Sequence, residues 1–120
     1  SESKSQELSK KEDLMNQASY IIGTSDELLE KNLLVKAGGF LGLGRTLRVS
    51  KTLNKEDFNS IDIRSFSTVS INAKEAQLLS VHPEGSYHFV GSDKMVDSFE
   101  IDDPAAFWSI SKYMIISTKE

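Results

Sequence analysis

Short runs of alternating hydrophobic and polar residues follow one another from residue 47 to the C-terminus. Each run is about 4–6 residues long, and alternation of this kind is typical of strands with one buried face. The last run, 113–117, has three consecutive apolar side chains and is therefore expected to lie centrally in a sheet. The pattern predicts an α+β fold dominated by an antiparallel twisted sheet, or a partial small barrel, of about six strands. The other runs are 61–64, 69–72, 79–82 and 87–89.

One turn in this region has a distinct sequence signature. Pro83 presets the second position of a type I turn, and Gly85 can take the left-handed conformation that follows. We therefore predict that 77–82 and 86–91 form a β-hairpin. Phe89 would then lie on its apolar face, in the core.

Two short helices are expected to pack on the sheet. Thr24 and Glu27 form a capping-box pair that predicts a helix over about 25–31. Asn32 tolerates the left-handed conformation that ends such a helix.

The second short helix is predicted over about 104–110. Asp103 is a suitable N-cap, and Pro104 is favoured at the first helical position. Phe107 is expected in the core. Trp108 is expected in the core as well, although it would also suit the open end of a barrel or the wall of a shallow groove.

The polar N-terminus is predicted to be a longer helix that precedes the domain. Leu8, Met15 and Ile22 lie seven positions apart and form a thin apolar stripe. Residues 1–17 are therefore interpreted as a helical tail, either a frayed end or the last turns of a coiled coil. Residues 18–120 are interpreted as one α+β domain.

Composition narrows the range of functions. Ile, Leu, Val and Phe supply 33 of the 120 residues, enough for one core. The net charge of −4 argues against a general nucleic-acid binder, and the absence of Cys excludes disulfides, thiolate metal sites and a Cys nucleophile. Residues 31–64, with 7 basic and 3 acidic side chains, form the only basic stretch. No apolar run approaches the roughly 20 residues of a membrane helix.

A glycine-rich segment, 39–46, matches the phosphate-loop pattern with Arg45 in the place of the usual Lys. Such a loop must open a helix, yet 46–54 has no helical stripe. We interpret the segment as a glycine-rich connection and expect no nucleotide hydrolysis. Binding of another anion through Arg45 remains an alternative.

The two histidines flank the predicted hairpin turn. In one turn geometry His82 and His88 project from the same face near Glu84, a set that could hold Zn²⁺. We favour solvated histidines and predict no metal, no cofactor and no catalytic residue, because no nucleophile elbow accompanies a histidine base. If a small anion or sugar binds, its pocket is expected near the glycine-rich loop. The candidate ligand residues are Arg45, Arg48, His82, His88 and Trp108.

Several segments together resemble a known family. They are 20–24, 38–44, 61–63, 82–87 and 103–113, and over about 18–117 the chain resembles the C-terminal β-rich domain of uncharacterised envelope lipoproteins of gut Bacteroidetes. In that family a lipidated N-terminus and a long coiled coil precede the domain. The resemblance implies an extracytoplasmic location, periplasmic or at the cell surface, and brings no functional residues. This chain lacks the lipidated Cys.

We therefore expect a non-catalytic binding or structural module of the bacterial cell envelope, displayed on a helical stalk. Its partner would be a protein or another envelope component, with no nucleic acid and with membrane contact only through an upstream anchor. A small-ligand domain and a small hydrolase or nucleotide-binding enzyme are the alternatives. The chain begins with Ser rather than Met, so we expect that it has been processed or trimmed. We also expect it to be monomeric, because two heptads are too few for a stable coiled coil.

Overall fold

The structure, a computed structural model, describes residues 2–37 and 46–120. Within these ranges the chain forms three α-helices and nine strands, which confirms a mainly β, α+β fold. The helices are α1 (Glu2–Met15), α2 (Ser25–Glu30) and α3 (Pro104–Phe107). The strands are β1 (Gln17–Thr24), β2 (Leu34–Ala37), β3 (Thr46–Val49), β4 (Asn59–Asp62), β5 (Thr68–Ala73), β6 (Glu75–Leu78), β7 (Tyr87–Gly91), β8 (Val96–Ile101) and β9 (Tyr113–Lys119).

The strands form three sheets that do not close into a barrel. The largest has the order β4-β1-β9-β6, the second pairs β2 with β3, and the third has the order β5-β8-β7. All pairings are antiparallel except that of β1 with β9, which is parallel. The expected single sheet of about six strands is thus replaced by a larger number of short strands that split among three sheets.

Strand β9 separates two hydrophobic cores. Met114 and Ile116 lie in the larger core with Phe99 and Phe107, whereas Ile115 points to the opposite face and enters a smaller core with Leu28. Successive side chains of a strand alternate between faces, so a strand buried on both faces must be apolar at every position. The prediction that β9 lies centrally in its sheet is confirmed.

Local signals fix both short helices. The Thr24 hydroxyl accepts a hydrogen bond from the Glu27 amide at 3.2 Å, and Asn32, with φ of 61°, follows the end of α2. The Asp103 carboxylate caps α3 by accepting from the Ala106 amide at 3.2 Å. Helix α3 ends at Phe107, three residues before the predicted end.

The predicted hairpin of 77–82 with 86–91 is wrong. Strand β6 pairs with β9 and strand β7 pairs with β8, so the two segments belong to different sheets. Between them the chain crosses from one sheet to the other and is fixed there by Ser86, whose carbonyl accepts from the amides of Asp102 and Asp103. The turn itself is present, since Gly85 has φ of +82°.

Replacement of Gly85 by Val is expected to lower the unfolding free energy by about 1–2 kcal/mol, because a β-branched residue resists a positive φ. An added Cβ meets nothing within 4 Å, so the cost comes from the backbone alone. Urea unfolding of Gly85→Val beside Gly85→Asn measures it. Asn tolerates this conformation, and equal losses in the two variants would contradict the backbone explanation.

Helix α1 stands apart from both cores. Its residues Leu8, Leu14 and Met15 are 61%, 69% and 73% exposed. Arg64, which follows β4, links the helix to the domain through a 2.9 Å ion pair with Asp13. The predicted stripe does not continue to Ile22, because the helix ends at Met15 and Ile22 belongs to β1.

Candidate functional site

The structure separates the predicted ligand residues. Arg45 lies outside the described residues, and so does all of the glycine-rich segment 39–46 except Thr46. His82 and Trp108 are buried together, at 7% and 2% exposure. His88 is exposed on β7 and Arg48 is exposed on β3, so these residues do not form one pocket.

His82 is the centre of a buried hydrogen-bond chain. Its Nδ1 lies 2.7 Å from the carbonyl oxygen of Phe107, which can only accept, so Nδ1 carries the proton. Its Nε2 then accepts from the Ser80 hydroxyl at 2.8 Å, and the Ser80 oxygen accepts from the Ile115 amide at 3.0 Å. The chain of bonds joins β9 to α3 through a neutral imidazole.

This environment contradicts the expectation that His82 is solvated, whereas His88 is exposed as expected. Burial lowers the pKa of His82, although hydrogen bonds to backbone at Phe107 and Tyr113 oppose that shift. The ring stacks on Phe107 with centroids 3.8 Å apart. The sequence analysis missed the role of Ser80. The signal in the sequence is its separation of two positions from His82, which places both side chains on one face of an extended segment.

The Ser80 hydroxyl lies at hydrogen-bond distance from His82, as a serine nucleophile does from its base. This hydroxyl, however, makes two hydrogen bonds within the fold. It donates to His82 and accepts from Ile115, whose amide would otherwise lack a partner beyond the end of β6. The pair therefore satisfies buried backbone and ring groups. Trp108, with its ring edge-on to His82 at 5.8 Å, completes the cluster, as expected for a core residue.

His88 lies between two carboxylates on the exposed face of the third sheet. Its Nδ1 is 2.8 Å from Asp102 Oδ2, and its Nε2 is 3.1 Å from Glu100 Oε2. His88 and Glu100 are directly opposite each other on β7 and β8. Only the imidazolium form donates from both nitrogens, and Asp102, followed by Glu100, raises the pKa of His88.

These three residues could also ligate a metal ion. Their ligand atoms lie within 4.8 Å of one another. In the structure the two carboxylates lie against different nitrogens of the ring, Asp102 at Nδ1 and Glu100 at Nε2. In its imidazolium form, His88 itself bridges the two carboxylates.

The pKa values of the two histidines are expected to lie on opposite sides of the ordinary value of about 6.5. His88, with its raised pKa, stabilises the fold below pH 6.5 and loses this contribution as the pH rises through the folded-state pKa. His82, with its lowered pKa, contributes above pH 6.5 and loses its contribution as the pH falls. NMR titration of the ring protons would resolve the two curves.

Asp102→Asn should lower the pKa of His88 more than Glu100→Gln does, because Asp102 makes the larger contribution. Asp97→Asn serves as the control, because Asp97 lies on β8, as Glu100 does, and its replacement removes an equal charge at a position away from the ring. A His88 pKa at or below that of His82, or one unchanged in Asp102→Asn, would contradict this assignment.

Arg48 lines a surface cavity, which we name the Arg48 groove. Its volume is about 390 Å³. It lies beside the β2–β3 pair, and several of its apolar walls belong to the smaller core. Its other residues with a side-chain hydroxyl are Ser80, Ser111 and Tyr113. The walls are formed by Val49, Leu53, Leu79, Val81, Tyr113 and Ile115.

Comparison with known proteins gave no match to a family model, a curated protein or a solved structure. Among the described residues, no helix is long and apolar enough to cross a membrane.

Proposed function

We propose that this protein is a non-catalytic binding or structural module of the bacterial cell envelope, presented on a helical stalk that self-associates. The observation that carries the proposal is the exposed apolar stripe of α1. A domain whose cores are complete without α1 has no structural need for these side chains. They therefore suit contacts made beyond the domain.

The stripe fits a second copy of the same helix. Leu8 and Met15 lie seven positions apart, which keeps them on one side of a supercoiled helix, and Leu14 lies next to Met15. Each of the three is more than 60% exposed. Pairing two such helices would cover three large apolar side chains on each.

The shape of the molecule agrees with a stalk. The principal extents are 64 × 33 × 22 Å, so the molecule is about twice as long as it is wide. A helix of 14 residues is only marginally stable in water without partners. A stalk of this length therefore needs further heptads upstream before it can associate.

We expect the 120-residue chain to be monomeric by light scattering and a chain extended upstream by several heptads to be oligomeric. In a fusion to a dimeric coiled coil placed in phase with Leu8, Leu8→Cys should form an interchain disulfide rapidly. Lys10→Cys is the matched control, because two residues along a helix turn the side chain to the opposite side. The protein has no native Cys to interfere.

Equal cross-linking rates at positions 8 and 10 would refute the stalk. So would a tight dimer of the 120-residue chain that survives deletion of 1–17, because the β domain would then hold the interface.

The envelope location is supported by the sequence resemblance described above. Cell fractionation with an antibody to residues 18–120, followed by protease treatment of intact cells, tests it. Recovery of the protein in the cytosolic fraction would overturn this part of the proposal.

A further inference from the structure

We infer that the Arg48 groove binds a free fatty acid, with the acyl chain against the apolar walls and the carboxylate at Arg48 and Lys51. The inference takes the binding role proposed above as its premise and names the ligand class. Its test needs only the monomeric domain, so its failure would leave the stalk experiment unaffected.

The walls favour a hydrocarbon chain. Val49, Leu53 and Leu79 are partly buried members of the smaller core, and the groove continues that core to the surface. Val81 at the rim is 67% exposed. A single exposed valine is ordinary, but here the exposed apolar surface leads into a cavity whose size is typical of small-ligand sites.

A second cavity shares Arg48 and Val49 with the groove. It has a volume of about 310 Å³ and is lined by Val35, Arg48, Val49 and Lys51. Val35 and Arg48 are cross-strand partners, so the exposed valine and the guanidinium lie side by side on β2 and β3. The apolar surface thus ends beside two cations.

These cations have no acidic partner in the part of the chain that the structure describes. Neither Arg48 nor Lys51 forms an ion pair there, whereas Arg64 pairs with two carboxylates. A site with an apolar wall and an unneutralised positive end complements a chain with one terminal negative charge. Sugars suit it less, because they require many polar partners and the groove offers mainly hydrocarbon.

The test compares decanoate, decanol and acetate, which carry the chain with the charge, the chain alone and the charge alone. Amide shifts of ¹⁵N-labelled protein would map each ligand, and calorimetry would give its affinity. We expect decanoate to perturb Leu53, Leu79 and Val81, with weaker binding of decanol and none of acetate.

Arg48→Gln should weaken decanoate binding by about fivefold, the effect of one exposed ion pair, and leave decanol unchanged. Lys74→Gln, an equal loss of charge between β5 and β6, is the matched control. Val81→Ser should weaken both chain-bearing ligands by about three- to tenfold. Melting curves would establish that each variant is folded.

Three results would overturn the inference. One is an absence of shifts at the groove. Another is equal affinity for decanoate and decanol together with no effect of Arg48→Gln. The third is co-sedimentation with anionic phospholipid vesicles without binding of monomeric decanoate, which would assign the surface to a membrane instead of a free fatty acid.

Discussion

Replacing Phe99 with Ala is expected to lower the unfolding free energy by about 3–5 kcal/mol. Phe99 is completely buried on β8, the middle strand of its sheet. Its ring lies 5.0 Å from that of Phe89, 5.5 Å from Tyr87 and 5.7 Å from Phe107. Truncation removes the contacts of three aromatic neighbours and leaves a cavity that rigid sheets cannot readily fill.

Phe89→Ala is the matched control, because Phe89 is the cross-strand partner of Phe99. The sequence indicated a core position for Phe89, but the structure places it on an edge strand with its side chain only partly buried. We expect its loss to cost clearly less than that of Phe99. Urea unfolding of both variants measures the difference, and a cost for Phe99→Ala no larger than for Phe89→Ala would contradict the placement of the larger core.

Replacing Gly91 with Ala is expected to cost about 1–3 kcal/mol by overpacking. A Cβ at this position would clash with the backbone carbonyl of Met95 and lie 2.9 Å from the Cα of Val96. Both obstacles are backbone atoms, one in the connection between β7 and β8 and one in the first residue of β8, so no side-chain rotation relieves them. The register of this pair already shifts at Gly91, where a bulge brings the two backbones close.

Gly23→Ala provides the comparison within another strand. There the nearest atom to a new Cβ is the Glu27 carboxylate at 3.4 Å, a flexible group that can move. We expect the free energy of unfolding to change little. Thermal melts of both variants would reveal the contrast, and a milder effect at Gly91 than at Gly23 would contradict the close backbone approach at the bulge.

The features that could be predicted from the sequence are those set by neighbouring residues. The caps at Thr24 and Asp103, the left-handed Asn32 that follows α2 and the left-handed Gly85 each depend on contacts within a few positions, and all are present. The central position of β9 was also predictable, because a continuous apolar run requires cover on both faces. Strand partners could not be predicted, since alternation marks a strand without naming its neighbour.

The candidate sites depended on the same long-range pairing. The neighbours of His88 come from β8 and the residue after it, and those of His82 from α3 and β9, so neither environment could be derived once a local hairpin was assumed. The Arg48 groove likewise combines three distant parts of the chain. The sequence identified Arg48 as a candidate ligand residue by its charge alone. The apolar walls beside it, on which the inferred ligand class depends, could not be predicted.

The parallel pairing of β1 with β9 limits the order in which the parts of the domain can fold. Ser19 and Tyr113, which are partners in that ladder, are far apart in the sequence, so the centre of the sheet cannot close until the segment around residue 113 has been synthesised. Such distant contacts slow folding, because the entropy of loop closure is lost before the ladder forms. A chain truncated before residue 113 would lack the strand that both cores share. The centre of this domain is therefore expected to form late in folding, only once β9 is available to pair with β1.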